Sequence, residues 1–459
     1  MKLSTRIPGE LRLNAISALL EEKRRRGEPI LDLTISNPTQ AGIEYPGGFL
    51  GALANDRALL YEPAAFGMPS ARERIAREYR APYDNVILTA STSEAYSWIF
   101  KLLCDPGCEV LVPRPSYPLF EYLAKLESVE VRHYSLFYDH GWYIDFHTIE
   151  RALNYRTRAI VLVNPNNPTG HFIKRGEAEQ LADLCQRHGV ALISDEVFAD
   201  YQIDPDFDSL LSLQGLADFT LNGLSKAVGL PQMKLAWMIT KRLVPELEMI
   251  ADTYLSVGAP VQVALPSLLA LKEPVQRQIL ARVRENLAHV ARHLRVEAGW
   301  YAILPVLDEE ETALRLLRES GILVQPGYFY DFERSGYLVV SLLTQPDIFS
   351  VCDRDAVETF LYRGRHKLRR HLIHDVLRHH PPARRVPRLA HLERRVEPQG
   401  FHTAPTLARD FDKTLAVFSG QARCVNVGAG PPQLNTMPQQ RVNDSKNPPV
   451  NRLVALVVD

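Results

Sequence analysis

Between Val86 and Thr240, seven short apolar runs alternate with stretches of helical character. Few architectures accommodate that pattern. The runs are VILTA (86–90), EVLVP (109–113), VEVRHY (129–134), AIVLVN (159–164), VALISDEVF (190–198), FTLNG (219–223) and LAWMIT (235–240). Several are apolar on both faces, as parallel strands covered by helices on both sides must be. The alternation predicts a doubly wound α/β domain with a mostly parallel, seven-stranded sheet covered by helices. Ligands of such sheets bind at the carboxyl ends of the strands. The polar clusters of this chain fall there: after Leu88, after Val112, after Val163, at Asp195 and at Lys226.

Each cluster has a chemical reading and a plain one. Lys226 follows Ser225 in FTLNGLSKAVGLPQMKLAWMIT, between two strands. A lysine taken out of water on a tight turn is a usable nucleophile for Schiff-base chemistry; the plain reading is a surface lysine in a loop. Ser91, Thr92 and Ser93 open a helix, where free N–H groups and hydroxyls suit a phosphate, or simply cap the helix. Tyr117 lies in a proline-flanked loop, PRPSYPLF, where its ring could stack on a flat ligand or join the core. Asn167 lies in NPNNPTG, where its amide suits donation to a ligand oxygen or the run simply makes a turn, though Asn, Pro and Gly at this density after a strand are unusually specific. Asp195 and Glu196 end an apolar strand, where a carboxylate is costly without a partner, so a cation is expected nearby.

Outside this region the elements are less regular. Residues 10 to 27 read as a helix stopped by Gly27. Ser70 and Glu73 read as the capping box of a helix to Tyr79. AGWYAILPV (298–306), ILVQPGYF (322–329) and GYLVVSLLT (336–344) read as strands, with EEETALRLLRES as a helix. The 459 residues, 46% hydrophobic and 23% charged, belong to an ordinary globular chain of more than one domain. A net charge of −1 gives no electrostatic case for nucleic acid or membrane. No run approaches a membrane span, and MKLSTRIPGELRLN lacks the apolar core of a signal peptide. Five scattered cysteines, without paired metal-ligand spacing, predict a reducing cytoplasm and no metal.

Taken in order, STSEA, PSYP, NPNNPTG, DEVF and SK followed eight residues later by a cation resemble the class I/II aminotransferases, the aspartate-aminotransferase-like pyridoxal-phosphate enzymes of fold type I. The resemblance spans about residues 10 to 350. It implies a large cofactor-binding domain (41–260) and a smaller α+β domain (261–352) joined by the N-terminal segment (1–40). It implies that Lys226 forms the Schiff base with pyridoxal 5′-phosphate and that Asp195 pairs with the pyridine nitrogen. Asn167 would bond the phenolic oxygen, Tyr117 would stack on the ring, and Ser91, Thr92, Ser93, Ser225 and Lys234 would hold the phosphate. Tyr61 would reach the phosphate of a partner subunit, since such sites are shared in a homodimer. The implied reaction moves an amino group between an amino acid and a 2-oxo acid. A Cβ lyase using the same cofactor, or a cofactor-binding protein of weak activity, are the alternatives.

Four positions depart from the family pattern. Lys234 replaces an arginine, Gly223 a phosphate-binding serine, and Phe198 a tyrosine whose bond to the phenolic oxygen is missing unless Tyr201 or a water replaces it. Val339 stands where an arginine would clamp the substrate carboxylate, and no arginine lies between Arg334 and Arg354. Either another residue binds that carboxylate or the substrate is not an ordinary α-amino acid. Beyond residue 352 the resemblance stops. From Leu361 to Gly400 there are eleven Lys plus Arg against three Asp plus Glu, and ten prolines follow from Pro381 onward. Residues 353–459 therefore read as a basic, disordered tail, either a polyanion-binding arm or a non-native extension.

Overall fold

Strand side chains alternate between the two faces of a sheet, and here both faces are covered. A computed structural model describes residues 3–7, 11–206, 208–240, 245–290, 293–351, 424–427 and 452–455. Ile87, Val110, Val161 and Leu221 pack with Trp98 and Phe100 of the helix Thr92–Leu103 on one face. Their strand neighbours Leu88, Leu111, Leu162 and Leu192 pack on the other, against Leu181 and Leu184 of the helix Arg175–His188. The apolar runs are continuous because neither face meets water.

In spatial order the sheet runs Val86–Thr89, Ala236–Thr240, Phe219–Gly223, Ala191–Asp195, Thr157–Val163, Glu109–Arg114, Glu130–Tyr138 and Trp142–Ile144. The strands from Phe219–Gly223 through Glu130–Tyr138 are parallel. Ala236–Thr240 is antiparallel to both its neighbours. All seven expected strands are present, together with an eighth. Trp142–Ile144 folds back on Glu130–Tyr138 as an antiparallel hairpin, with His140 at φ 54° in the turn. Its sequence has no long apolar run, so it left no signal of its own.

A second, three-stranded antiparallel sheet holds Tyr301–Pro305, Tyr337–Ser341 and Gln325–Pro326. The N-terminal residues Leu31–Asp32 pair in parallel with Ile322–Leu323, next to that sheet in sequence. The chain then runs along it: Ser341 donates its N–H to the Leu33 carbonyl and its hydroxyl to the Ile35 carbonyl. Two helix readings need correction. The first helix is Ala15–Arg25, because the Asn14 side chain caps it by accepting the Ser17 N–H at 2.7 Å. Leu11–Leu13, expected in that helix, is a strand that pairs with Cys424–Val427, itself paired with Arg452–Ala455. The helix Pro69–Tyr79 starts on Pro69 without a side-chain cap, so Ser70 is inside its first turn. Proline needs no N–H partner at the first helical position. Apart from those two short strands, the tail reading lies outside the described residues.

Leu162 is 1% exposed at the centre of the sheet. Leu162→Ala should lower the unfolding free energy by about 2–5 kcal/mol in urea titration. A loss under about 1 kcal/mol would contradict burial on both faces.

Candidate active site

Three parallel strands end side by side, and their next residues converge. Val163 is in register with Asp195, and Asp195 with Leu221. Where they end lies a cleft of about 600 Å³, its mouth included, lined among others by Thr92, Ser93, Tyr96, Tyr117, Asn167, Asp195, Phe198, Gly223, Ser225 and Lys226. Seven of the ten residues singled out from sequence line it: Thr92, Ser93, Tyr117, Asn167, Asp195, Ser225 and Lys226.

Lys226 sits in the one-turn helix Leu224–Ala227 between Phe219–Gly223 and the antiparallel strand Ala236–Thr240, and is 7% exposed. Its Nζ lies 5.8 Å from the centre of the Phe198 ring and 5.6 Å from that of Trp300. Asp195 is buried too. Where a cation was expected beside it, its partners include two neutral donors. The Tyr96 hydroxyl donates to Oδ2 at 3.0 Å and the Val197 N–H to Oδ1 at 3.3 Å. Tyr96 was not singled out from sequence. It lies three and four residues after Ser93 and Thr92, hence on the same helix face, and that spacing was the available signal. Asn167 is buried, and its amide oxygen has no hydrogen-bond partner. Tyr117 meets Phe120 edge-on with centroids 6.3 Å apart.

Three expected residues do not line the cleft. Ser91 is spent as a helix cap: its Oγ accepts the Glu94 N–H at 3.2 Å, while Glu94 accepts the Ala90 N–H at 2.6 Å. Lys234 is exposed, at φ 47°, after the turn Pro231–Met233. Tyr61 is 82% exposed and lines a separate cleft with Trp98 and Gln262.

The departures have physical accounts. A Cβ on Gly223 would stand 2.9 Å from the Ala236 Cβ, so a serine does not fit there. Tyr201 does not stand in for the tyrosine absent at Phe198, because its hydroxyl donates to the Lys226 carbonyl from outside the cleft lining. Val339 is fully buried between Ile303 and Gln325.

The family model "Aminotransferase class I and II" matches residues 31–354. The chain belongs to the class I and II aminotransferases. It is 26% identical over 353 residues to nicotianamine aminotransferase 1 of Oryza sativa subsp. japonica, covering 68% of this chain and 71% of that one. It is 27% identical over 368 residues to alanine aminotransferase of Mycobacterium bovis, covering 72% and 85%. Among solved structures, an aminotransferase from Escherichia coli superposes with a TM-score of 0.69 at 21% identity, covering 80% of this chain and all of that one. The fold is the expected fold type I, and the chain is an aminotransferase that moves amino groups. The cofactor of this family is pyridoxal phosphate. The cleft's chemistry fits it: a buried amine, a buried carboxylate, a buried side-chain amide whose N–H can donate to a ring oxygen, and hydroxyls at a helix start.

Glu196, beside Asp195, accepts the Ser194 hydroxyl at 2.9 Å and the Leu213 N–H at 2.6 Å. Burial nevertheless pushes its carboxyl from the usual range up to about 7. A raised carboxyl favours folding in its neutral form. That contribution is complete below about pH 4.5 and is lost as pH rises through about 7. Relative to Glu196→Gln, the native protein should lose about 3 kcal/mol of stability over that window in urea titrations. Parallel pH profiles would contradict the buried neutral acid. Gly223→Ser should destabilise by about 1–3 kcal/mol, and Ala236→Gly in the same chain should recover most of it. Full stability of Gly223→Ser alone would show that the cleft has room for a serine.

Proposed function

We propose that the cleft around Lys226 binds pyridoxal phosphate and that the enzyme moves an amino group between an amino acid and a 2-oxo acid. The observation that carries this is a buried lysine and a buried aspartate lining one cleft with the Asn167 amide. Pyridoxal phosphate, when bound, supplies an aldehyde that takes up amines covalently and a ring that stores the electron pair left by a departing proton. Lys226 offers the amine that holds it and, once exchanged for substrate, takes the proton from the substrate's amine-bearing carbon. Asp195, kept in place by Tyr96 and the Val197 N–H, would hold a positive ring nitrogen. Asn167 would hydrogen-bond the ring oxygen. Thr92, Ser93 and Ser225 would hold the phosphate with the N–H groups of the helix Thr92–Leu103. Phe198 and Trp300 exclude water around Lys226.

In this reading residues 261–352, with residues 1–40, form a smaller domain that closes on residues 41–260. The pairing of Leu31–Asp32 with Ile322–Leu323 supports it. A homodimer with shared sites is supported by a run of exposed apolar residues, Leu59, Leu60 and Tyr61, with Met249 and Tyr254 also exposed. Tyr61 would act across that interface, and Lys234 would contribute its charge to the phosphate. No described helix is long and apolar enough to cross a membrane, and free Cys104, Cys108 and Cys185 fit a reducing cytoplasm.

The test is product analysis with pyridoxal phosphate, a panel of L-amino acids and a 2-oxo acid. The proposal expects a new amino acid in equal amount to the donor consumed. It expects Lys226→Ala to lower the rate about a thousandfold or more. It expects Asn167→Ala to weaken cofactor binding about tenfold. Release of ammonia with no amino-group acceptor would replace transfer by lyase chemistry at Cβ.

A further inference from the structure

We propose that the buried ion pair Lys174–Glu297 is a positioning device that fixes the loop carrying Asn167, which lines the Lys226 cleft, against the segment carrying Trp300, whose ring lies over Lys226 Nζ; this rests on the pyridoxal phosphate reading above. Lys174 Nζ lies 3.0 and 2.9 Å from the two carboxylate oxygens of Glu297 and donates to the Phe172 carbonyl at 2.8 Å. The side chains are 11% and 2% exposed. An ammonium has three protons to place, and these partners account for them.

Each end of the pair holds one of the two segments. Lys174 ends the loop that starts after Val163 and carries Asn167. The Glu297 carboxylate takes the Phe172 N–H of that same loop at 3.1 Å. Glu297 also begins the segment that carries Trp300. Its main-chain carbonyl accepts the N–H groups of Ile203 and Asp204, and the Gly299 N–H bonds the Tyr201 carbonyl. Trp300 then packs on Phe198 with centroids 5.1 Å apart and on Tyr201 at 4.9 Å, and Lys226 Nζ lies 5.6 Å from its ring centre. The loop and the segment touch through main chain. Gly170, at φ 70°, has no room for a Cβ, which would stand 2.5 Å from the Ala298 carbonyl oxygen. Asn167 and Trp300 are therefore placed by one anchored contact.

A buried ion pair contributes little net stability, because desolvation offsets the attraction. What the pair does supply is direction. Directed hydrogen bonds from the ammonium to the carboxylate oxygens and the Phe172 carbonyl, with the Trp142 carbonyl at 3.5 Å, favour particular arrangements of the two segments that an apolar pair does not specify.

Lys174→Met/Glu297→Gln removes both charges, keeps the lysine stem and keeps an amide oxygen for the Phe172 N–H. The cofactor-free variant should melt close to the parent but exchange amide hydrogens faster in residues 166–172 and 298–301 together. Its dissociation constant for pyridoxal phosphate should rise about tenfold. Lys174→Arg, which retains the charge, should keep both properties near the parent values. If the double variant does not fold, Lys174→Gln, which retains a donor, should raise the dissociation constant about threefold. Parent-like exchange and cofactor affinity in the variant measured overturn the proposal, as does a Lys174→Arg as impaired as the double variant. A parent that binds no pyridoxal phosphate sinks the cofactor reading, and coupled exchange of the two segments then decides the positioning claim alone.

Discussion

Taking the ammonium of Lys226 out of water costs several kcal/mol unless its surroundings compensate, and the fold is arranged to place that amine at the junction of its strands. The lysine stands on the turn into the strand of the eight-stranded sheet that runs antiparallel to both of its neighbours. Asp195 ends a neighbouring parallel strand and Asn167 follows the next. Aromatic rings close the cavity around Nζ, and Tyr96 fixes the carboxylate. Residues more than a hundred positions apart meet because the carboxyl ends of parallel strands share one edge.

The strands were legible because burial on both faces writes an unbroken apolar run, and because their polar residues gather at one end. Lys226, Asp195 and Asn167 were found that way before any resemblance was invoked. Ser91 carried two readings for a physical reason. A serine before a helix serves a phosphate or its own N–H groups with the same chemistry, and only the Glu94 side chain at the Ala90 N–H shows which. The hairpin Trp142–Ile144 escaped because three residues carry no periodicity. The Lys174–Glu297 pair escaped because long-range partners leave no spacing in sequence: Glu297 is 123 residues from Lys174.

The departures narrow what the site accepts. At Gly223 the neighbour Ala236 leaves no room for a hydroxyl, so that phosphate ligand is lost for packing reasons. Val339 lies inside a sheet between apolar and amide neighbours, where a strand residue cannot clamp a carboxylate. Another residue must then bind the substrate's carboxylate, or the substrate is not an ordinary α-amino acid.

The central claim is that Lys226 is the residue that carries the cofactor. Borohydride reduction of the protein with pyridoxal phosphate, followed by peptide mass mapping, tests it most directly. The account predicts one reduced pyridoxyl group per chain, on the peptide containing Lys226. A label on another lysine, or none, would contradict it.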